Sequence, residues 1–139
     1  MNATASVMEG AEVVAPSRKM MWAGRVVSAL PILALGMSGA MKLSHAPQLV
    51  GMMTGHLGFT EGALTVIGLL ELTCIVLYAI PATSVLGAAL VTAFLGGAVA
   101  SHVRVGDPWV VPVLLGALAW LGLFLRDARV RKLLPLRSA

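Results

Sequence analysis

Four apolar runs, each ended by a charge or a proline, decide what this chain can fold into. They occupy residues 26–41, 61–80, 84–103 and 109–125. A backbone placed in hydrocarbon must satisfy its own polar groups, so each run is predicted to be a helix. At 1.5 Å per residue the second and third runs reach about 30 Å, the thickness of a bilayer core. The first reaches about 24 Å and is completed by its apolar flank at 20–24 and by snorkelling of Arg25 and Lys42. The fourth is just long enough to span. Pro31 is expected to kink the first helix, whereas Pro112 falls in the first turn of the fourth, where a missing N–H costs little.

The connections fix the order of neighbours. Pro81, Ala82 and Thr83 leave room only for a tight turn, which makes the second and third helices antiparallel. Arg104, Gly106, Asp107 and Pro108 make the next turn. Residues 45–60 read as a loop holding a short amphipathic helix at 48–57. The expected fold is therefore all-α, an integral membrane four-helix antiparallel bundle over residues 20–125. A mobile tail at 1–19 precedes it and a basic tail at 126–139 follows. A cleaved leader is not expected, since the first apolar run begins late and is too long for a usual signal core.

Composition agrees with a lipid environment. Charged residues make up 12% of the chain and hydrophobic ones 58%, whereas soluble domains carry about 25% charged residues. The net charge of +4 does not point to nucleic acid, because the basic residues sit at the ends of apolar runs and form no patch with interleaved aromatics. Cys74 is the only cysteine, which excludes an intrachain disulfide or a dithiol motif. Arg18, Lys19, Arg25, Arg126, Arg129, Arg131, Lys132 and Arg137 fall on one side, and Lys42 and Arg104 on the other. This asymmetry predicts a multi-pass inner-membrane protein with both termini in the cytoplasm.

Glu71 is the sharpest chemical signal. It lies near the middle of its run, where a bare carboxylate costs about 2.5–3.5 kcal/mol on insertion scales. It should be neutral, hydrogen-bonded or paired. Glu61, Thr65, Gly68, Glu71, Ile75 and Tyr78 share one helical face, which should line the interior. Lys42 ends the first helix on the face of Pro31, Leu35, Ser38 and Gly39. With both helices ending at the same boundary, it would stand about 13 Å in depth from Glu71, against a combined side-chain reach of about 10 Å. A direct ion pair is not expected on that geometry, and a bound ligand or water between them is easier. In the third run Ala89, Ala93, Gly96, Gly97 and Ala100 form a small-residue strip, suited to close approach of another helix. Arg104 continues that strip toward the bundle, while His102 falls nearly opposite. His45, His56 and His102 share one side but match no ligand spacing, so no metal site is expected. Phosphate loops, haem spacings and nucleophile elbows are absent.

Several of these residues resemble the DoxX-like family of small bacterial membrane proteins. The resemblance is carried by Gly39 with Lys42, by Ile67-Gly68-Leu69-Leu70-Glu71-Leu72, and by Pro81 and Gly87-Ala88. It continues in Gly97-Ala98-Val99-Ala100-Ser101-His102-Val103-Arg104, leading into Gly106-Asp107-Pro108. It implies a four-helix membrane bundle in which Lys42, Glu71, His102 and Arg104 are the family-like polar positions. It also implies a place for some relatives as subunits of membrane oxidoreductases that deliver electrons to quinone. This chain carries no cysteine pair or haem ligand set of its own.

The functional expectation is a lipophilic ligand, a quinone among the candidates, held in an intrabundle pocket. Glu71 and His102 would serve proton transfer there, with Lys42, Arg104, Thr65 and Gly68 around the ligand. A membrane acid–base enzyme, an isomerase or hydrolase, is the second reading. The third is a non-catalytic subunit or scaffold that docks a partner subunit or a second copy. Beyond a quinone, no cofactor is indicated.

Overall fold

The computed structural model describes residues 14–133 of the 139. All regular structure among them is helical: α1 (Arg18–Leu43), α2 (Pro47–Val50), a π-helical segment (Gly51–His56), α3 (Glu61–Ala79), α4 (Ser84–Val105), α5 (Val110–Arg126) and α6 (Ala128–Leu133). Three of them, α1, α3 and α4, are long and apolar enough to cross a membrane; α5, at 17 residues, is apolar but shorter.

Local chemistry sets these limits. Ser17 starts α1 by accepting a hydrogen bond from the Met20 N–H at 3.2 Å, the usual service of an N-cap serine. The helix thus begins eight residues before the apolar run and takes in Arg18 and Lys19 from the expected tail, whose residues 1–13 lie outside the described part. Thr60 caps α3 in the same way through Ala63 N. At the other end of α4, Gly106 adopts φ 79°, and the Gly106 and Asp107 amides return to Val103 and His102 carbonyls. Such a left-handed cap suits glycine, which has no Cβ to clash.

The helices contact each other in cyclic order: α1 lies against α3 and α5, and α4 closes the circuit between α3 and α5. Bulky apolar side chains such as Leu33 and Met37, each 67% exposed, face outward. That outward hydrophobicity is what a lipid-facing surface requires and a water-facing one avoids.

One end is closely packed. A Cβ added to Gly87 would lie 2.1 Å from Tyr78 N, and one on Gly122 would lie 2.2 Å from Ser28 Oγ. Both glycines are therefore required by the approach of neighbouring helices. Between them Tyr78 is fully buried. Its hydroxyl donates to Ala119 O at 2.7 Å and shares a hydrogen bond with Ser28 Oγ at 2.9 Å. Arg126 lies over the Tyr78 ring, 5.3 Å from its centroid, a cation–π contact. Part of the basic tail is ordered as α6. Val130 is buried, and Arg131 donates to the Phe124 and Leu125 carbonyls at 3.3 Å each. These carbonyls lie in the last turn of α5, where a cation is favourable.

The small-residue strip of α4 does not receive another helix. Ala89, Ala93, Gly96, Gly97 and Ala100 are all exposed, and nothing lies within 4 Å of a Cβ placed on Gly96 or Gly97. Ser84, Gly87, Ala88, Val91 and Leu95 form the packed face instead. Periodicity singled out the small-residue strip, but burying Val91 and Leu95 on the other face removes more apolar surface from its surroundings.

Candidate functional site

At the opposite end, α1 and α3 cross with almost nothing between them. A Cβ on Gly68 would stand 3.0 Å from Lys42 Cβ and 3.1 Å from Gly39 O, and a Cβ on Gly39 would stand 2.8 Å from the Leu72 side chain. Helix α1 therefore ends against Gly68, seven residues inside α3, and not level with the start of α3 at Glu61.

This offset overturns the expectation that Lys42 and Glu71 stand too far apart. Gly68 and Glu71 differ by three residues, about 4.5 Å of helix rise. Lys42 Nζ meets Glu71 Oε2 at 2.7 Å, with the two side chains 9% and 2% exposed. The depth estimate failed because it set both helix ends at one boundary. Residues 44–60 fill the space left above the shorter end of α1.

Lys42 Nζ also donates to Ser38 Oγ at 2.5 Å. Ser38 lies one turn before Lys42, and that i, i+4 spacing was the only sign of it in the sequence. An ammonium has three N–H donors, so one is left beyond these two partners. On Glu71 only Oε2 is engaged. The pair thus keeps one donor and one acceptor beside open space.

That space is a cavity of about 720 Å³. Ser38, Lys42 and Glu71 contribute its polar edge on the α1–α3 side, and Ser101 and His102 do so from α4. Most of the remaining wall is apolar, with Phe94 and Pro112 from the bundle and Met52 and Met53 from the segment after α2. The cavity thus combines an apolar body with a small polar locus, the usual make-up of a small-molecule site.

The other expected residues divide. His102 lines this cavity although an ideal wheel turned it away. Arg104 does not line it: it is exposed, and its guanidinium donates to the Leu57 carbonyl. Arg104 follows the α4 strip, of which Ala93 and Gly97 border the cavity, but at the end of the helix its side chain reaches the Leu57 carbonyl instead. Gly68 acts through close packing under Lys42. Thr65 is half-buried and outside the cavity wall. Tyr78, on the same face of α3 as Glu71, belongs to the packed end.

A second polar group stands at the rim. His56 Nε2 donates toward both Asp107 oxygens, at 3.0 and 2.9 Å. The hydrogen bond from His56 holds the Asp107 carboxyl below the usual carboxylate range, against a smaller opposing effect of desolvation. His102 Nδ1 faces the same carboxylate at 3.6 Å, too long for a hydrogen bond, and is otherwise buried without a partner. Asp107 and His56 are 51 residues apart, and no local pattern announces their meeting. Among the described residues, no group of three or more His, Cys, Asp or Glu side chains is arranged to hold a metal ion.

The sequence profile of the DoxX-like family matches residues 26–122. The chain belongs to the DoxX-like family. The matched region takes in most of α1, all of α3 and α4 and most of α5, so it carries both Lys42 and Glu71. Membership agrees with the apolar helices in marking a membrane protein. No curated protein and no solved structure matches this DoxX-like chain.

Proposed function

We propose that this DoxX-like protein is an antiparallel four-helix bundle in the bacterial inner membrane that binds a lipophilic small molecule in the cavity beside Lys42 and Glu71. Glu71 gives or takes a proton at the ligand, and Lys42 orients a carbonyl or anionic oxygen. The observation that carries this reading is a buried ion pair whose spare donor and acceptor border a roomy apolar cavity. Removing two charges from water costs several kcal/mol each, and a purely structural seam achieves similar stability with apolar side chains. Retaining the pair at a cavity wall is what proton transfer or recognition of a polar head requires.

A quinone fits this chemistry, since its carbonyls accept hydrogen bonds and its reduction consumes two protons. Lys42 and Ser38 would hold such a carbonyl, Glu71 would exchange the proton, and a partner subunit would supply electrons. The charge asymmetry between helix ends supports an orientation with the Tyr78 end in the cytoplasm.

The test is binding of a short-chain ubiquinone to the purified protein in nanodiscs, wild type against Glu71→Gln. The glutamine still accepts from Lys42 but no longer balances its charge, so thermal unfolding of the variant is measured beside the binding. Affinity should fall about tenfold or more, as expected when a charge-assisted hydrogen bond is lost. Equal affinity in the two proteins would remove Glu71 from the site.

A further inference from the structure

The segment between α1 and α3 covers the Lys42 end and differs in construction from the helices beneath it. Its two joints are both left-handed, at His45 (φ 50°) and Gly58 (φ 74°). For histidine that conformation is strained and persists only where the surroundings impose it. Between the joints run α2 and the π-helical segment, a rare form that is frequently found at functional sites. Gly51 and Gly55 have nothing within 4 Å of an added Cβ, so close packing does not require them as it does Gly39 and Gly68. Their effect is to loosen the segment.

This segment is also part of the cavity wall, through Leu49, Met52, Met53 and Leu57. Beneath it Met53 and Leu57 meet Leu64 in a small apolar cluster separate from the main core. Two polar ties from the far side of the bundle secure it: His56 to Asp107 in the α4–α5 turn, and Arg104 of α4 to the Leu57 carbonyl. Both reach its last residues, next to the Gly58 joint. No polar tie to α3, α4 or α5 holds the 47–53 stretch that covers the cavity.

We infer that residues 47–57 form a lid over the Lys42–Glu71 cavity, hinged at His45 and Gly58 and latched by His56 on Asp107 and Arg104 on Leu57 O, so that a ligand enters at this end when the latch opens. This assigns gating to His56 and Asp107, outside the ligand contacts, and gives Arg104 a clamping role. The inference rests on the ligand-binding reading, but its test needs no ligand and leaves Glu71 intact. Failure of one therefore leaves the other standing.

The experiment uses the full chain in nanodiscs with Cys74→Ser and Ser38→Cys, which places one thiol in the cavity wall. A permanently charged methanethiosulfonate reagent cannot cross lipid, so it reports passage beneath the lid, while N-ethylmaleimide reports general accessibility. With the latch intact, the charged reagent should react slowly. Asp107→Asn or His56→Ala should raise that rate at least fivefold, Asp107→Glu should restore slow labelling, and the N-ethylmaleimide rate should stay within twofold. In parallel, Asp107→Asn in the otherwise native chain should speed hydrogen exchange of amides 51–57 and leave those of 24–35 unchanged. Equal charged-reagent rates with and without the latch would overturn the lid, as would loosening shared by α1.

Discussion

The Tyr78 end and the Lys42 end are built from the same four helices, yet they use polar groups in opposite ways. Around Tyr78 every contact is with protein: its hydroxyl is divided between Ser28 and Ala119, and glycines let α4 and α5 close around it. Around Lys42, α1 and α3 cross closely at Gly39 and Gly68, and beside that crossing lies a cavity bordered by two charges and roofed by a weakly tied segment. Close packing removes freedom and fixes a single arrangement, whereas a polar pair beside a void keeps unused hydrogen-bonding capacity. The first end holds the fold, and the second has the makings of a site.

The sharpest way to break this contrast is to unpair the buried charges. Lys42→Met should destabilise the protein by about 3–5 kcal/mol, because Glu71 is left charged and alone or must take up a proton. Lys42→Met with Glu71→Leu should recover most of that loss, since an apolar pair has no desolvation cost. Unfolding in mixed detergent–SDS micelles measures both. A double variant no more stable than the single one would mean that the pair is integral to the packing, like Tyr78.

A smaller effect sharpens the contrast through glycine. Gly87→Ala at the packed end should cost about 1–3 kcal/mol, because the new methyl group meets the Tyr78 backbone. Gly97→Ala at the cavity wall meets nothing and should be neutral or stabilising by up to about 1 kcal/mol, as the helix loses a flexible residue. The same unfolding assay compares them, and equal losses would erase the distinction between the ends.

The smallest effect concerns the rim. Asp107 titrates below the usual carboxylate range because His56 donates to it, with His102 facing the same oxygens. A depressed folded-state value means that the stabilisation is present above the unfolded value and is lost as pH falls through the folded one. Carboxyl carbon shifts of the protein in micelles should show Asp107 titrating below an unperturbed aspartate. His56→Ala should move its midpoint upward. A midpoint indifferent to His56 would separate the rim from the latch.

Much of the architecture was legible because hydrocarbon leaves a chain few choices. Apolar run length located α3 and α4 nearly to their ends, and of the face expected to line the interior Gly68, Glu71, Ile75 and Tyr78 are buried, whereas Glu61 is exposed and Thr65 half-buried. What misled the reading was depth and rotation. Arg104 was placed toward the interior and His102 away from it, yet the structure has Arg104 exposed on a lid carbonyl and His102 on the cavity wall. Ideal wheels assign faces to a helix in isolation, and the choice between two plausible faces belongs to the neighbours.

By itself the sequence determined that this chain is helical, that its helices suit a membrane, and that Glu71 must be reckoned with, since each follows from transferring backbone and side chains out of water. Only the tertiary structure decided that Lys42 reaches Glu71, that the α4 strip stays open, and that His56 finds Asp107. Those outcomes depend on the axial offset of one helix against another, which is set by glycine contacts such as Gly39 on Gly68 and is recorded in no single segment.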